Sequence, residues 1–265
     1  MSVLVLTSNH LRHKFVATTV ARHLDVALVL VEPKRQDTLG SSVDIWEARL
    51  LSAYFDERSS TEETFFSQAN PEFEELRSLG KIWELDRGGI NDPSIVEKVK
   101  ASGVSLGLVF GTSIIKPPLL TSIPLVNIHL GVSPYYRGSG TNFWAMHNGD
   151  FHLVGATIHK VTEKVDAGAI FAHVTTPVSK KDTPHSLGCR VIQQAADKAV
   201  EIMQAIDEGS AQGKSQWPVA NARLYRNRDF TPQVLSSFLE AWPRLVEDYS
   251  KREADLKRSV TLVNP

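Results

Sequence analysis

The 265-residue chain has one cysteine, Cys189, so no internal disulfide can brace it, and no clustered Cys and His carry the spacing of a metal site. A reducing, cytoplasmic setting is expected. Long apolar runs are missing as well. The opening stretch, MSVLVLTSNHLRHKF, holds four consecutive apolar residues before Thr7, too few for a signal-peptide core or a membrane span, so neither export nor membrane insertion is expected. An excess of one charge is also missing: 29 Lys and Arg stand against 30 Asp and Glu. Broad binding to nucleic acid is therefore not expected, and the charge-dense stretch KREADLKR mixes both signs, as a solvated helix face does. With 42% apolar and 22% charged residues the chain can bury a full core, which excludes a disordered or collagen-like polymer.

What is present alternates between strand and helix patterns. The β-branched and aliphatic run at residues 3–6 ends in Thr7, Ser8 and Asn9, and residues 14–23 follow with apolar positions at helical spacing, Phe15, Val16 and Val20. Residues 26–31 form a continuous apolar run, the pattern of a strand buried on both faces, which makes the opening a βαβ unit. Residues 41–79 predict two or three helices, with a capping-box start at Ser60 to Glu63 and a break at Pro71. Further strands are expected at 82–85, 106–110 and 125–129, with a helix at 93–101. Residues 142–147 predict a short helix, and 155–161 and 169–178 two strands joined by the charged loop TEKVDAG as a hairpin added to the sheet. A long amphipathic helix is expected at 184–208. Residues 210–218, SAQGKSQWP, read as a linker to a tail with YRNRDF and a helix over 231–257 interrupted at Pro243. By length, one large α/β domain with a small appendage is expected, divided at residues 1–209 and 210–265. A homodimer is compatible with the apolar tail positions Val234, Leu235, Phe238, Leu239 and Trp242, which would equally serve to pack on their own subunit.

Polar residues carry the chemistry between 126 and 168. Asn127 and His129 occupy alternate positions at a strand end, so their side chains leave the same face, next to the crevice where α/β sheets take ligands. Asp166 lies in the turn between two later strands and can fold back to that crevice. An amide, an imidazole and a carboxylate together suit transfer of a carbonyl group to an amine: the amide stabilises an oxyanion, the imidazole moves a proton, the carboxylate orients and deprotonates. Taken one at a time, Asn127 also reads as a strand cap, His129 as a core histidine and Trp144 as core.

The run NIHLGVSPYYRGSGTNFWAMHNGD, followed by VGATIHKVTEKVDAGAIF, resembles the signature of the 10-formyltetrahydrofolate-dependent formyltransferases: Asn-x-His, a Pro and Arg-Gly loop, then Asp-x-Gly. The resemblance is close over residues 106–178 and implies a Rossmann-like α/β sheet with flanking helices and a short, mostly helical C-terminal extension. It implies catalytic roles for Asn127, His129 and Asp166, and no metal. The segment SIIKP after the fourth strand corresponds to the part of the family that meets the pterin ring, so Ile114 and Ile115, with Val161, Val165 and Gly168 across from them, are expected to hold the donor, 10-formyltetrahydrofolate. Asn9, Arg12, His13 and Lys14 are expected to meet a phosphate of the acceptor, in place of the glycine-rich loop of the glycinamide ribonucleotide enzymes. Tyr135, Tyr136, Arg137 and Asn142 are expected to shape the acceptor pocket. The short helical tail, where a methionyl-tRNA formyltransferase would carry a β-barrel, makes the likeness strongest to enzymes acting on nucleotide-linked amino sugars. The alternatives are formylation of a hydroxyornithine-type or other free amine, or a folate- or nucleotide-binding module without turnover.

Overall fold

The computed structural model describes residues 1–34 and 44–264. The first three residues of the helical reading over 41–79 lie outside the described residues. The chain runs β1 (Ser2–Ser8), α1 (Leu11–His23), β2 (Asp25–Glu32), α2 (Ile45–Phe66), α3 (Ala69–Ser78), β3 (Ile82–Glu84), α4 (Pro93–Ala101), β4 (Leu106–Val109), α5 (Leu119–Ser122), β5 (Leu125–His129), β6 (Tyr136–Gly138), α6 (Thr141–His147), β7 (Gly155–Lys160), β8 (Ile170–Thr175), α7 (Pro184–Asp207), β9 (Arg223–Tyr225) and α8 (Pro232–Arg258). Seven strands form one sheet in the order β3-β2-β1-β4-β5-β7-β8. The first five are parallel, and β7 and β8 are antiparallel additions at one edge, the hairpin expected from the sequence.

The strand period of two divides β1 between two cores. Val3 and Val5 face one layer with Val16, Ala17 and Val20 of α1 and Val191, Ala195 and Ala199 of α7. Leu4 and Leu6 face the other, against Val96 and Val99 of α4 and Leu119 of α5. All four are fully buried, each stabilising the fold by about 1.5–3 kcal/mol. Helix α7 starts where Thr183 and Ser186 cap each other's backbone N–H and Pro184 sits in the first turn, a position that lacks a partner for N–H in any case.

Several local expectations give way to packing. The capping box of α2 is formed by Asp44 and Glu47, not at Ser60; there the helix continues, with Thr61 and Thr64 donating to carbonyls one turn back and buried Glu62 paired to Arg12 at 2.6 Å. The break falls at Ser67 and Gln68, and Pro71 stands in the first turn of α3, where proline costs no hydrogen bond. Helix α8 runs through Pro243, because Leu235 and Phe238 before it and Val246 and Tyr249 after it are all buried, which outweighs the roughly 3 kcal/mol of an internal proline. Val234, Leu239 and Trp242 pack against the same core, so the apolar face considered for a dimer is used within the chain. The expected linker is bonded to the sheet: Lys214 and Ile170 exchange backbone hydrogen bonds at 2.8 Å. Farther on, β9 pairs in parallel with β6. Among the described residues no helix is long and apolar enough to cross a membrane.

Two buried imidazoles tie this architecture to pH. His173 of β8 donates to the Ser133 carbonyl at 2.7 Å and accepts from the Val263 N–H at 2.8 Å, which ties down the chain after α8. Burial pushes its ring from 6.5 down to about 4, and burial, followed by the charge of Arg58, does the same to His185. The unfolded chain takes up these protons near 6.5 and the folded chain only near 4, so stability is expected to fall as pH drops through that window, on the order of 3 kcal/mol per ring by pH 4. Urea unfolding midpoints between pH 7 and pH 4.5 measure this; His173→Gln should flatten the slope, and a midpoint independent of pH would contradict it.

Candidate active site

Antiparallel pairing of β5 with β7 sets His159 directly opposite Asn127 and Thr157 opposite His129. The His159 ring donates from Nδ1 to the Lys160 carbonyl at 2.9 Å, and its Nε2 lies 3.1 Å from the Asn127 amide nitrogen. Asp166, in the loop between β7 and β8, takes a left-handed backbone with φ of 50°, which brings its carboxylate back over the sheet. Its two oxygens stand 3.5 Å from His129 Nδ1 and 3.6 Å from His159 Nε2.

Burial of Asp166 would raise its carboxyl, but the close approach of His159, then the charges of His129 and Arg137, outweigh it and hold the carboxyl below its ordinary range. For His129 burial is the larger influence and lowers the ring below 6.5, with the Asp166 carboxylate offsetting it only in part. At neutral pH the site therefore holds an ionised carboxylate beside a neutral imidazole, the combination that accepts a proton and passes one on.

These groups form one wall of a cavity of about 520 Å³ at the carboxyl end of the parallel strands. Ile114, after β4, and Val165, after β7, add apolar side chains that are 62% and 56% exposed. A carboxylate and a side-chain amide shape the loop after β4: the buried Glu32 carboxylate accepts from the N–H of Ser113 at 2.9 Å, and Asn91 donates to the Ile114 carbonyl and accepts from the Lys116 N–H. The other end of the cavity is cationic. Arg12 lines it, as does Lys34, whose Nζ donates to the Gly111 carbonyl at 2.6 Å. Burial and the charges of Arg12, Arg58 and Lys34 push His10 down to about 4, and buried His13 is pushed well below its usual value by burial and Arg12.

Of the residues singled out in the sequence, Asn127, His129, Asp166, Ile114, Ile115, Val161, Val165, Arg12, His13 and Asn142 all line this cavity. The others lie elsewhere. Asn9 borders a separate cleft with Glu84 and Asp86, and Lys14 reaches back to the Asn70 side chain at 3.0 Å. Tyr136 is fully buried with its hydroxyl donating to Asp150, and Tyr135 bonds the backbone of Thr261. Arg137 bonds Gln216 rather than lining the cavity. Gly168 is required by packing, since a Cβ there would overlap the Lys160 carbonyl oxygen. Among the described residues no group of three His, Cys, Asp or Glu is placed to hold a metal ion.

The sequence profile described as Formyl transferase matches residues 3–203. The chain belongs to this family. Methionyl-tRNA formyltransferase of Salinispora tropica is 29% identical over 128 residues, which cover 47% of this chain and 41% of that protein. The chain thus spans about two-fifths of the length of such curated relatives. A sugar N-formyltransferase from a Shewanella species superposes with a TM-score of 0.55 at 19% identity, covering 87% of this chain and 78% of that one. An N-formyltransferase from Helicobacter canadensis, in complex with folinic acid and dTDP-3-aminofucose, superposes with a TM-score of 0.52 at 15% identity, covering 87% and 72%. At these identities the likeness is one of fold.

In this formyl transferase chain, His159 and Lys34 went unrecognised in the sequence. The signal for His159 was available in principle, because the alternation of residues 155–160 paired against 125–129 brings it to the Asn127 face; the register of that pairing was not legible. In His159→Phe the Asp166 carboxyl loses its strongest charge-stabilising neighbour and is expected to titrate at higher pH than in the wild type. Carboxyl carbon shifts followed by NMR measure this, and an unchanged titration would remove His159 from the site.

Proposed function

We propose that the protein transfers a formyl group from 10-formyltetrahydrofolate to the primary amine of a nucleotide-linked amino sugar. The observation that carries this reading is one cavity with Asn127, His129 and Asp166 on its wall and a cationic end at Arg12 and Lys34. The residues suit both substrates. Exposed Ile114 and Val165 beside the backbone of residues 111–114 fit a flat, hydrogen-bonding pterin, and Arg12 and Lys34 fit an anionic phosphate. The folinic acid and dTDP-amino sugar bound by the Helicobacter canadensis neighbour support the pairing.

The acceptor nitrogen attacks the formyl carbon and the carbonyl electron pair moves onto oxygen. Asn127, 3.1 Å from the His159 ring, turns an amide hydrogen to that oxyanion, a contribution of about 3 kcal/mol to the barrier. Asp166 takes the proton released by the amine, with His129 beside it at 3.5 Å as relay. Collapse of the intermediate breaks the bond between the formyl carbon and N10, whose nitrogen receives a proton through His129, leaving a formamide and tetrahydrofolate.

An assay with the folate donor and a panel of acceptors tests the reading: nucleotide-linked amino sugars, free amines including hydroxyornithine, and an aminoacyl-tRNA. A formamide product from a nucleotide-linked amino sugar is expected, and Asn127→Ala or Asp166→Ala should lower turnover about 100-fold or more with the fold intact. Product only from a free amine or tRNA would overturn the acceptor, and saturable folate binding without any product would overturn the reaction. Lys34→Met is expected to raise KM for the nucleotide-linked acceptor about tenfold while kcat stays within about twofold; an unchanged KM would place the phosphate elsewhere.

A further inference from the structure

Residues 210–225 lie beyond the 3–203 segment matched by the family, yet they touch both flanks of the site. Gln216 uses every polar atom of its side chain there. Its Nε2 donates to the Asp166 carbonyl at 2.7 Å and to the Gly168 carbonyl at 3.0 Å, and its Oε1 accepts from Arg137 Nη2 at 2.8 Å. On one side of it Lys214 is paired to β8 through two backbone bonds; on the other, Trp217 packs edge-on to Tyr135 and His173. Gln216 is therefore held by its neighbours and can hold something in turn.

The loop it grips needs holding. Asp166 is the one residue other than glycine, among those described, with a positive φ, a conformation that costs on the order of 1 kcal/mol, and only the weak Ala167 to Lys164 turn bond at 3.3 Å and the Thr162 side chain brace the loop from within. Arg137 enters from β6, where it pairs with Leu224 of β9. Its Nε is buried without a partner, so the bond to Gln216 is what orients a guanidinium whose charge reaches both Asp166 and His129.

We propose that Gln216 is a positioning residue: its amide ties the loop of Asp166 to Arg137 and holds the Asp166 carboxylate against His129 and His159. The inference rests on the reading of Asp166 as the proton acceptor for formyl transfer. A neutral amide is required, because only an amide donates to two carbonyls and accepts from a guanidinium at once. A glutamate keeps the length and pairs with Arg137, but sets a carboxylate against two carbonyl oxygens; a methionine keeps the length and makes no bond.

The test compares wild type, Gln216→Glu and Gln216→Met in two measurements: steady-state formyl transfer, and amide hydrogen exchange over residues 163–169 with the rest of the sheet as internal control. Both variants should exchange faster in that loop alone, with kcat reduced ten- to a hundredfold and KM for either substrate within about twofold. Unchanged loop exchange, or kcat within twofold of wild type in either variant, overturns the proposal, as does a loss spread evenly over the sheet. A wild-type protein without turnover, whose loop still loosens in both variants, would count against the formyl-transfer reading while leaving the tie between Gln216 and the loop supported.

Discussion

A carboxylate held between two buried imidazoles is the constraint around which this molecule is organised. Asp166 keeps its charge in a largely dry place only because His129 and His159 stand within 3.6 Å of its oxygens and Arg137 lends a field from behind. Taking a carboxylate out of water without such partners would be prohibitive. The antiparallel register of β5 and β7, the left-handed turn at Asp166 and the hydrogen bonds from Gln216 each serve to bring that carboxylate to its partners. The burial that lowers the His129 ring leaves it neutral beside the carboxylate, so the two groups differ in protonation although they lie side by side.

The chain after α7 shares in this arrangement. The parallel pairing of β9 with β6 sets the Tyr225 ring flat on Trp144 at 4.1 Å and lets the Tyr225 carbonyl accept from Ser139, at the cavity rim. Gly138 has φ of 91°, and a Cβ there would overlap that carbonyl, so the glycine is what lets the strand approach. The strand carrying Arg137 and the loop carrying Asp166 are thus both tied to the stretch of chain that holds Gln216 and β9.

The floor of the cavity has a similar logic with a different chemistry. Glu32, almost fully buried, is satisfied by the backbone N–H groups of Ile90 and Ser113, and thereby fixes where the segment after β4 presents its backbone. The cationic end draws on two elements, with Arg12 from α1 and Lys34 after β2. Arg12 is paired with Glu62 at 2.6 Å, which keeps the guanidinium in place.

Local sequence determined the alternation of strands and helices, because periods of 2.0 and 3.6 are written in side-chain polarity and survive without knowledge of neighbours. It also determined that Asn127 and His129 share a face, since alternation on one strand requires it. Helix ends were less legible: the Ser60 box and the breaks at Pro71 and Pro243 obeyed local propensity, and the buried pair of Arg12 with Glu62 and the burial of Phe238 and Val246 on either side of Pro243 overrode it. Tertiary structure alone decided which polar residues of the first loop face the cavity, because the rotation of about 100° per residue along α1 turns Lys14 away from the direction of Arg12 and toward Asn70. It alone decided that Tyr136 is core, that His159 stands against Asn127, and that Gln216, 50 residues away along the chain, bonds the Asp166 backbone. Strand register and long-range side-chain bonds depend on the summed packing of the whole sheet, and no single stretch of sequence carries that sum.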